Sequence, residues 1–216
     1  MRGAERPRGW FFMPVLAQRE FRVLYPLTES LLEQLAGADR VTYEHSLHVA
    51  GVASLLAREM GLAGEERVLY EAGLLHDVGK LHVPRELLFT RRVFGPSDRL
   101  KMQKHVGYTR EILTHCRYPR TLVEVCCQHH ERLDGSGYPL GLKGSAISPG
   151  GRILAVADVF AALVAPRPYR GALSPSQAVE ILRQEALCGR LAAEVVGALV
   201  RRLDECCGLC GVRAGA

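Results

Sequence analysis

The chain has 216 residues, with 28 Lys and Arg against 23 Asp and Glu for a net charge of +5, and it is 48% hydrophobic and 24% charged. At ~100–200 residues per domain this is one full domain with extras, or two very small ones, with enough apolar chain to bury a core, which excludes general disorder. Residues 1–22 hold five Arg and two Glu, a +3 arm that leaves only +2 for the other 194 residues, so no broad nucleic-acid footprint and no DNA partner are expected.

Taken in order, the chain first offers an apolar run from Trp10 to Leu16. Pro14 interrupts it, and it is too short for a signal-peptide core or a membrane span. A cytoplasmic protein is expected, in which the seven Cys read as buried thiols or metal ligands before disulfides. Ser30 to Glu33 resembles a capping box that opens a short helix ended by Gly37. Residues 42–60 place Val49, Val52, Leu56 and Met60 on one stripe of an amphipathic helix closed by Gly61, with His45 on the same stripe. A third helix from about Glu65 carries Leu69 and Ala72 into His76, with Gly79 as its cap. The fourth runs from Ser97 towards Leu113 and lines up Met102, His105, Thr109 and Ile112. A fifth from about Pro119 puts Leu122, Val123, Cys126 and His130 on one face, then breaks at the turn Asp134 to Pro139. The sixth spans Arg152 to Leu163, and helices near 175–187 and 191–205 close the chain. Strand signals are nearly absent, so the fold class is an all-α bundle.

The chemistry lies in histidines that recur on apolar faces. One such His is more often a satisfied core residue than a ligand. Here His45, His76, His105 and His130 repeat the pattern in four helices, and burying four imidazoles without a shared partner would leave ring nitrogens unsatisfied. Asp77 follows His76, and Asp158 sits in a hydrophobic run, where a carboxylate needs a cation or strong donors. With His129 the set is five His and two Asp. That exceeds what one ion with open positions uses, so two divalent metals ~3.5–4 Å apart are expected. The donor mixture suits Fe, Mn, Zn or Ni better than Mg or Ca.

These residues match a family. His76-Asp77-Val78-Gly79-Lys80 is similar to the HD signature of the metal-dependent phosphohydrolase superfamily, and His129 to Pro139 resembles the defining motif of its HD-GYP branch. The likeness runs from His45 through Lys104-His105 and Asp158 to Arg167-Pro168-Tyr169-Arg170, about three quarters of the chain. It implies an HD-domain bundle over residues 38–205 extended by C-terminal helices, with the metal centre in the core. Residues 1–37 then form a basic arm and short helix, and 206–216 a flexible Cys-containing tail. The implied activity is hydrolysis of cyclic di-GMP to pGpG, with GMP as a further product.

Carried over by the resemblance, His45, His76, Asp77, His105, His129, His130 and Asp158 are metal ligands, with Asp77 bridging. Fe or Mn leads over Zn and Ni, with no organic cofactor. Asp77 and Lys80 are the catalytic pair, Lys80 lying near the scissile phosphate, and Arg167 and Arg170 match phosphate-contacting positions. Gly137, Tyr138 and Pro139 form a loop expected to let backbone approach substrate while Tyr138 packs beside it. The family also uses this loop to meet diguanylate-cyclase-type partners, and a homodimer is a further expectation.

Departures from the family pattern are specific. Val41 replaces the Glu that accompanies a third metal, which favours two ions, and Glu44 points to another side of the helix. Ala161 stands for an Asp near the substrate. Val106 follows His105 where Pro is common, Thr109 stands where Gly is usual, and Pro166 replaces a polar residue before Arg167. His48, His82 and His115 match no ligand position and are expected to be structural or exposed. Ala161 motivates an alternative: a catalytically weak receptor that binds cyclic di-GMP and signals to a partner. A third reading is an HD hydrolase of another cyclic dinucleotide.

Overall fold

The computed structural model describes residues 23–62, 64–90, 92–165 and 171–213. Within them the chain is helical, with no strand beyond an isolated bridge between Asp134 and Lys143. The order is α1 (Leu27–Ala38), α2 (Arg40–Glu59), α3 (Glu66–Leu75), a 3-10 turn (Val78–His82), α4 (Arg85–Leu88), α5 (Pro96–His115), α6 (Arg120–Cys127), a 3-10 turn (Gly144–Ala146), α7 (Pro149–Val164), α8 (Pro175–Leu187), α9 (Ala193–Arg201) and α10 (Leu203–Leu209). No helix among the described residues is long and apolar enough to cross a membrane.

Local chemistry sets the boundaries. Asp39 opens α2 by accepting from the amides of Val41 and Thr42 at 3.0 and 3.1 Å, which satisfies two of the orphan N–H groups of a first turn. Ser148 does the same for α7 through Gly151 N, with Pro149 preset for the first helical position, so α7 starts three residues earlier than its apolar pattern suggests. The expected start of α1 at Ser30 is corrected: Pro26, at φ −58°, leads directly into a helix from Leu27, and Ser30 lies inside it.

Helix α7 is the hub, and its composition explains why. Ile153, Leu154, Val156, Ala157, Phe160, Ala161 and Val164 are all fully buried, so the helix is apolar nearly all round and has neighbours on several sides. It packs on α2, α3, α6, α8 and α9. Helix α2 lies most extensively along α3, and α5 lies on the 3-10 turn after α3. These contacts bring the ends of α3 and α6 and the middles of α2, α5 and α7 to one place.

The C-terminal region corrects another expectation. Residues 206–213 are not a loose tail: Cys206, Cys207 and Cys210 are buried in the core cluster, and α10 rests against α2. Their thiols are free, as are all seven, and burial pushes those of Cys206 and Cys207 up, Cys206 to about 12. Such thiols pack as small hydrophobes and are poor nucleophiles. The basic arm, Arg167 and Arg170 lie outside the described residues.

Candidate metal centre

The seven side chains singled out in the sequence converge inside the bundle. His45 comes from α2, His76 and Asp77 from the turn that ends α3, His105 from α5, His129 and His130 from the turn after α6, and Asp158 from α7. His45 Nε2 lies 2.9 Å from Asp158 Oδ1, and His76 Nε2 lies 3.4 Å from Asp77 Oδ2 and 3.9 Å from Asp158 Oδ1. Around the other oxygen of Asp77, His105 Nε2 stands at 3.3 Å and His129 Nε2 at 4.0 Å. His130 presents Nδ1 to Asp158 Oδ2 at 3.9 Å. Three overlapping triads result: His45–His76–Asp158, His76–Asp77–His129 and His105–His129–His130, with ligand atoms in each within 4.8 Å of one another.

The histidine placement corrects one detail. His76 caps α3 and the pair His129-His130 follows α6, so only His45 and His105 ride on helix faces proper. The helix ends have a use of their own. The last carbonyls of a helix lack intrahelical partners. His76 Nδ1 donates to Gly73 O at 2.8 Å and His129 Nδ1 to Cys126 O at 2.6 Å, each three residues back in the last turn. His105 Nδ1 repeats the contact on Met102 O at 2.7 Å. In all three the proton is held on Nδ1, so Nε2 is the lone-pair nitrogen, and it faces Asp77.

Electrostatics support the same protonation pattern. Burial lowers His105, lowers His130 to about 3, and holds His129 well below the ordinary imidazole range, with His130 and His76 adding to the effect at His129. Burial thus favours the neutral form of these three rings, the form that coordinates a cation, whereas at His76 burial is outweighed by Asp77 and Asp158, which raise it. Burial would raise both Asp77 and Asp158, but Lys80, His76 and His105 around Asp77, and His45, His130 and His76 around Asp158, hold both carboxyls well below their usual range. Lys80 Nζ sits 2.6 Å from Asp77 Oδ2. Even so, His76 Nε2 and Asp77 Oδ1 are buried without a well-formed hydrogen bond. An unsatisfied buried polar atom costs ~1–3 kcal/mol, and a cation between these two removes the cost for both. The donor set fits divalent metal.

Beside the centre lies the loop from Asp134 to Pro139. Asp134 accepts from Ser136 N and Oγ at 2.9 and 2.7 Å, closing an Asx turn. The backbone of Gly137 is pressed on the residues just before it: a Cβ there would lie 2.4 Å from Arg132 N and 2.5 Å from His130 O. That seats Tyr138, whose amide donates to His130 O and whose ring lies 4.6 Å from the His130 ring. Glu131 secures the far limb, accepting from Leu140 N and Leu142 N at 2.8 Å each, and it is only 2% exposed.

The HD domain profile matches residues 22–195. A 3'3'-cGAMP-specific phosphodiesterase 1 of Vibrio cholerae is 40% identical over 94% of this chain and 47% of its own length. The cyclic di-GMP phosphodiesterase response regulator RpfG of Xanthomonas campestris is 36% identical over 91% of this chain and 52% of its own. The chain belongs to the HD-domain family, in its HD-GYP branch. An HDGYP protein of Bdellovibrio bacteriovorus shares the fold, with TM-score 0.62 and 22% identity over 74% of this chain and 51% of that one. This HD-GYP protein spans about half the length of the curated relatives it matches.

Within the HD-GYP frame the departures find physical places. Val41 is 42% exposed and Glu44 pairs with Arg40 at 2.8 Å, so neither turns to the centre. Val106 and Ala161 are fully buried in the apolar core. His82 and His115 are exposed and His48 is half-buried. Gly79, expected as a helix cap, is instead inside the 3-10 turn against α5. Gly137 meets its own chain rather than open space, and Pro139 is exposed at the loop tip. The role of Glu131 is a finding of the structure. Its signal was a carboxylate wedged between His130 and a glycine-rich loop whose amides need acceptors.

Proposed function

We propose that this HD-GYP protein is a metal-dependent phosphodiesterase that opens a 3',3'-cyclic dinucleotide, with cyclic di-GMP as substrate and pGpG as first product. The observation that carries the reading is the buried set of five imidazoles and two carboxylates whose ligand atoms form three overlapping triads. His45, His76, Asp77, His105, His129, His130 and Asp158 would hold two divalent ions; Fe and Mn suit this N and O donor set, and Zn and Ni would be accommodated. When bound, such a pair supplies Lewis acidity towards phosphoryl oxygen and an activated water near neutral pH.

The chain's own residues do the rest. With the imidazoles neutral, two carboxylates against one ammonium would leave the protein groups at a net charge of −1, which favours cation uptake over anion binding before loading. Lys80 shares Asp77 Oδ2, so its ammonium stands at the edge of the centre, where it offsets charge that grows on phosphorus oxygens. Tyr138, stacked on His130, forms a wall on which a purine can lie. Arg167 and Arg170 are assigned to the substrate phosphates. The loop tip, with Pro139 exposed and Leu140 68% exposed, is the surface proposed for a diguanylate-cyclase-type partner.

The 40% identity to a 3'3'-cGAMP-specific enzyme favours a second reading, in which the hybrid dinucleotide is the substrate. A panel of cyclic di-GMP, 3'3'-cGAMP and cyclic di-AMP, offered to Mn(II)- or Fe(II)-loaded protein under reducing conditions with products identified by mass, separates them. Consumption of cyclic di-GMP at the highest kcat/KM supports the first. Preference for 3'3'-cGAMP transfers the assignment, and tight binding with no turnover of any member replaces the enzyme by a receptor.

A further inference from the structure

We infer that Thr109 is a positioning residue that braces the metal-binding turn from outside, an assignment that rests on the proposed centre. Thr109 is fully buried on α5, four residues and so one turn from His105, and both side chains face the turn that carries His76 and Asp77. Its hydroxyl donates to His76 O at 3.0 Å and accepts from Gly79 N at 3.0 Å. His76 and Gly79 are three apart, the spacing a tight turn closes with its own bond. Here the hydroxyl stands between the two groups and ties both to α5.

The approach of the two backbones makes this brace a matter of register. A Cβ on Gly79 would lie 2.0 Å from His105 O and 2.4 Å from Thr109 N, so α5 is seated directly on the turn. A shift along the helix would remove the hydroxyl from both partners at once. The same register fixes His105 Nε2 at 3.3 Å from Asp77 Oδ1, because His105 leaves α5 one turn before Thr109 and Asp77 leaves the turn between His76 and Gly79. A glycine at 109 would offer no such hydroxyl, so the link depends on the residue this chain carries there. The brace neither touches substrate nor donates to a metal: it holds two ligand-bearing elements at one separation.

The test uses the full chain with Thr109→Val, which keeps the shape and removes the hydroxyl, and Thr109→Ser, which restores it. Mn(II) affinity is read from the free Mn(II) signal in electron paramagnetic resonance, with circular dichroism on the same samples. Loss of a partner one step removed from a metal ligand weakens metal binding ~10-fold or more, and that is the drop expected for Thr109→Val, with Thr109→Ser recovering the wild-type affinity. Unchanged Mn(II) affinity in a folded Thr109→Val protein overturns the assignment. If that variant does not fold, hydrogen exchange of the Gly79 amide in metal-free wild-type protein decides. Protection equal to the core helices supports a brace set before loading, and exchange at the rate of an exposed loop overturns it. Absence of Mn(II) binding by wild-type protein would instead sink the metal centre itself, a result the exchange measurement does not depend on.

Discussion

Asp77 and Glu71 lie six residues apart, at 2% and 0% exposure, and the protein treats them in opposite ways. Glu71, on α3, is surrounded by donors: the hydroxyl of Thr28, the amide of Leu24 at 2.9 Å and that of Tyr25, with the Tyr118 hydroxyl 2.8 Å from Thr28 Oγ1 behind them. Its lone pairs are used, and the result fastens the chain entering α1 onto α3. Asp77 has one close donor, Lys80, on Oδ2, while Oδ1 is buried without a hydrogen-bond partner and faces His105 Nε2 at 3.3 Å. Burial of a carboxylate is common to both sites; what separates a structural knot from a candidate metal centre is acceptor capacity left over once the protein's own donors are counted.

The largest test of that contrast removes Asp77. Asp77→Ala should abolish stoichiometric Mn(II) binding and reduce cyclic dinucleotide hydrolysis to background, with helix content kept, as read by metal analysis, turnover and circular dichroism. Retained metal at wild-type stoichiometry would end the distinction.

Acidification should separate the two sites next. His105, His129 and His130 bind protons more readily in the unfolded chain than when buried, so their contribution to stability is full above the ordinary imidazole range, near pH 6.5, and is lost as pH falls below it. His76, raised by Asp77 and Asp158 against its own burial, opposes this in part. Glu71 has the other sign: burial raises its carboxyl against Thr28 and the Leu24 and Tyr25 amides, so its contribution is present at low pH and fades as pH rises through its folded value. Thermal melts of metal-free protein should therefore lose Tm from about pH 7 to about pH 5, and added Mn(II) should restore less at the lower pH because protons compete for the same nitrogens. A flat Tm across that window would show that the buried rings do not titrate on unfolding.

A smaller effect is expected at the knot. Glu71→Gln sets an amide N–H₂ against donors that need an acceptor, which should cost ~1–3 kcal/mol of stability in a denaturant titration and leave Mn(II) affinity unchanged. The smallest belongs to Glu131→Gln, where one of the two loop amides, Leu140 N or Leu142 N, loses its carboxylate acceptor. KM for the dinucleotide should rise while kcat and metal content hold, and equal rises across all substrates would point to loosening of the loop rather than loss of a specific contact.

Legibility in the sequence followed the range of the interaction. Imidazoles recurring among aliphatic residues, and the pair His76-Asp77, are unusual enough locally to mark these side chains as candidates from sequence alone. Glu71 is equally buried, but Leu69-Tyr70-Glu71-Ala72 reads as ordinary helix, because its partners Leu24 and Thr28 are 47 and 43 residues away. Thr109 was visible only as a departure, since its use depends on where the turn at Gly79 meets α5. The C-terminal segment differs from its expectation for a related reason: Cys206, Cys207 and Cys210 look like spare thiols until α2 supplies the surface that covers them. Helix existence was read well where stripes were long, and ends were read poorly where proline or a side-chain cap moved them.

The three Nδ1 bonds to carbonyls three residues back carry a consequence for how the protein is loaded. Each ring is locked in χ2 and tautomer by its own helix, so little conformational entropy remains to be lost when a cation arrives. A divalent cation entering the proposed centre would then meet ligands already in place, and its loading would need no refolding of the scaffold around it.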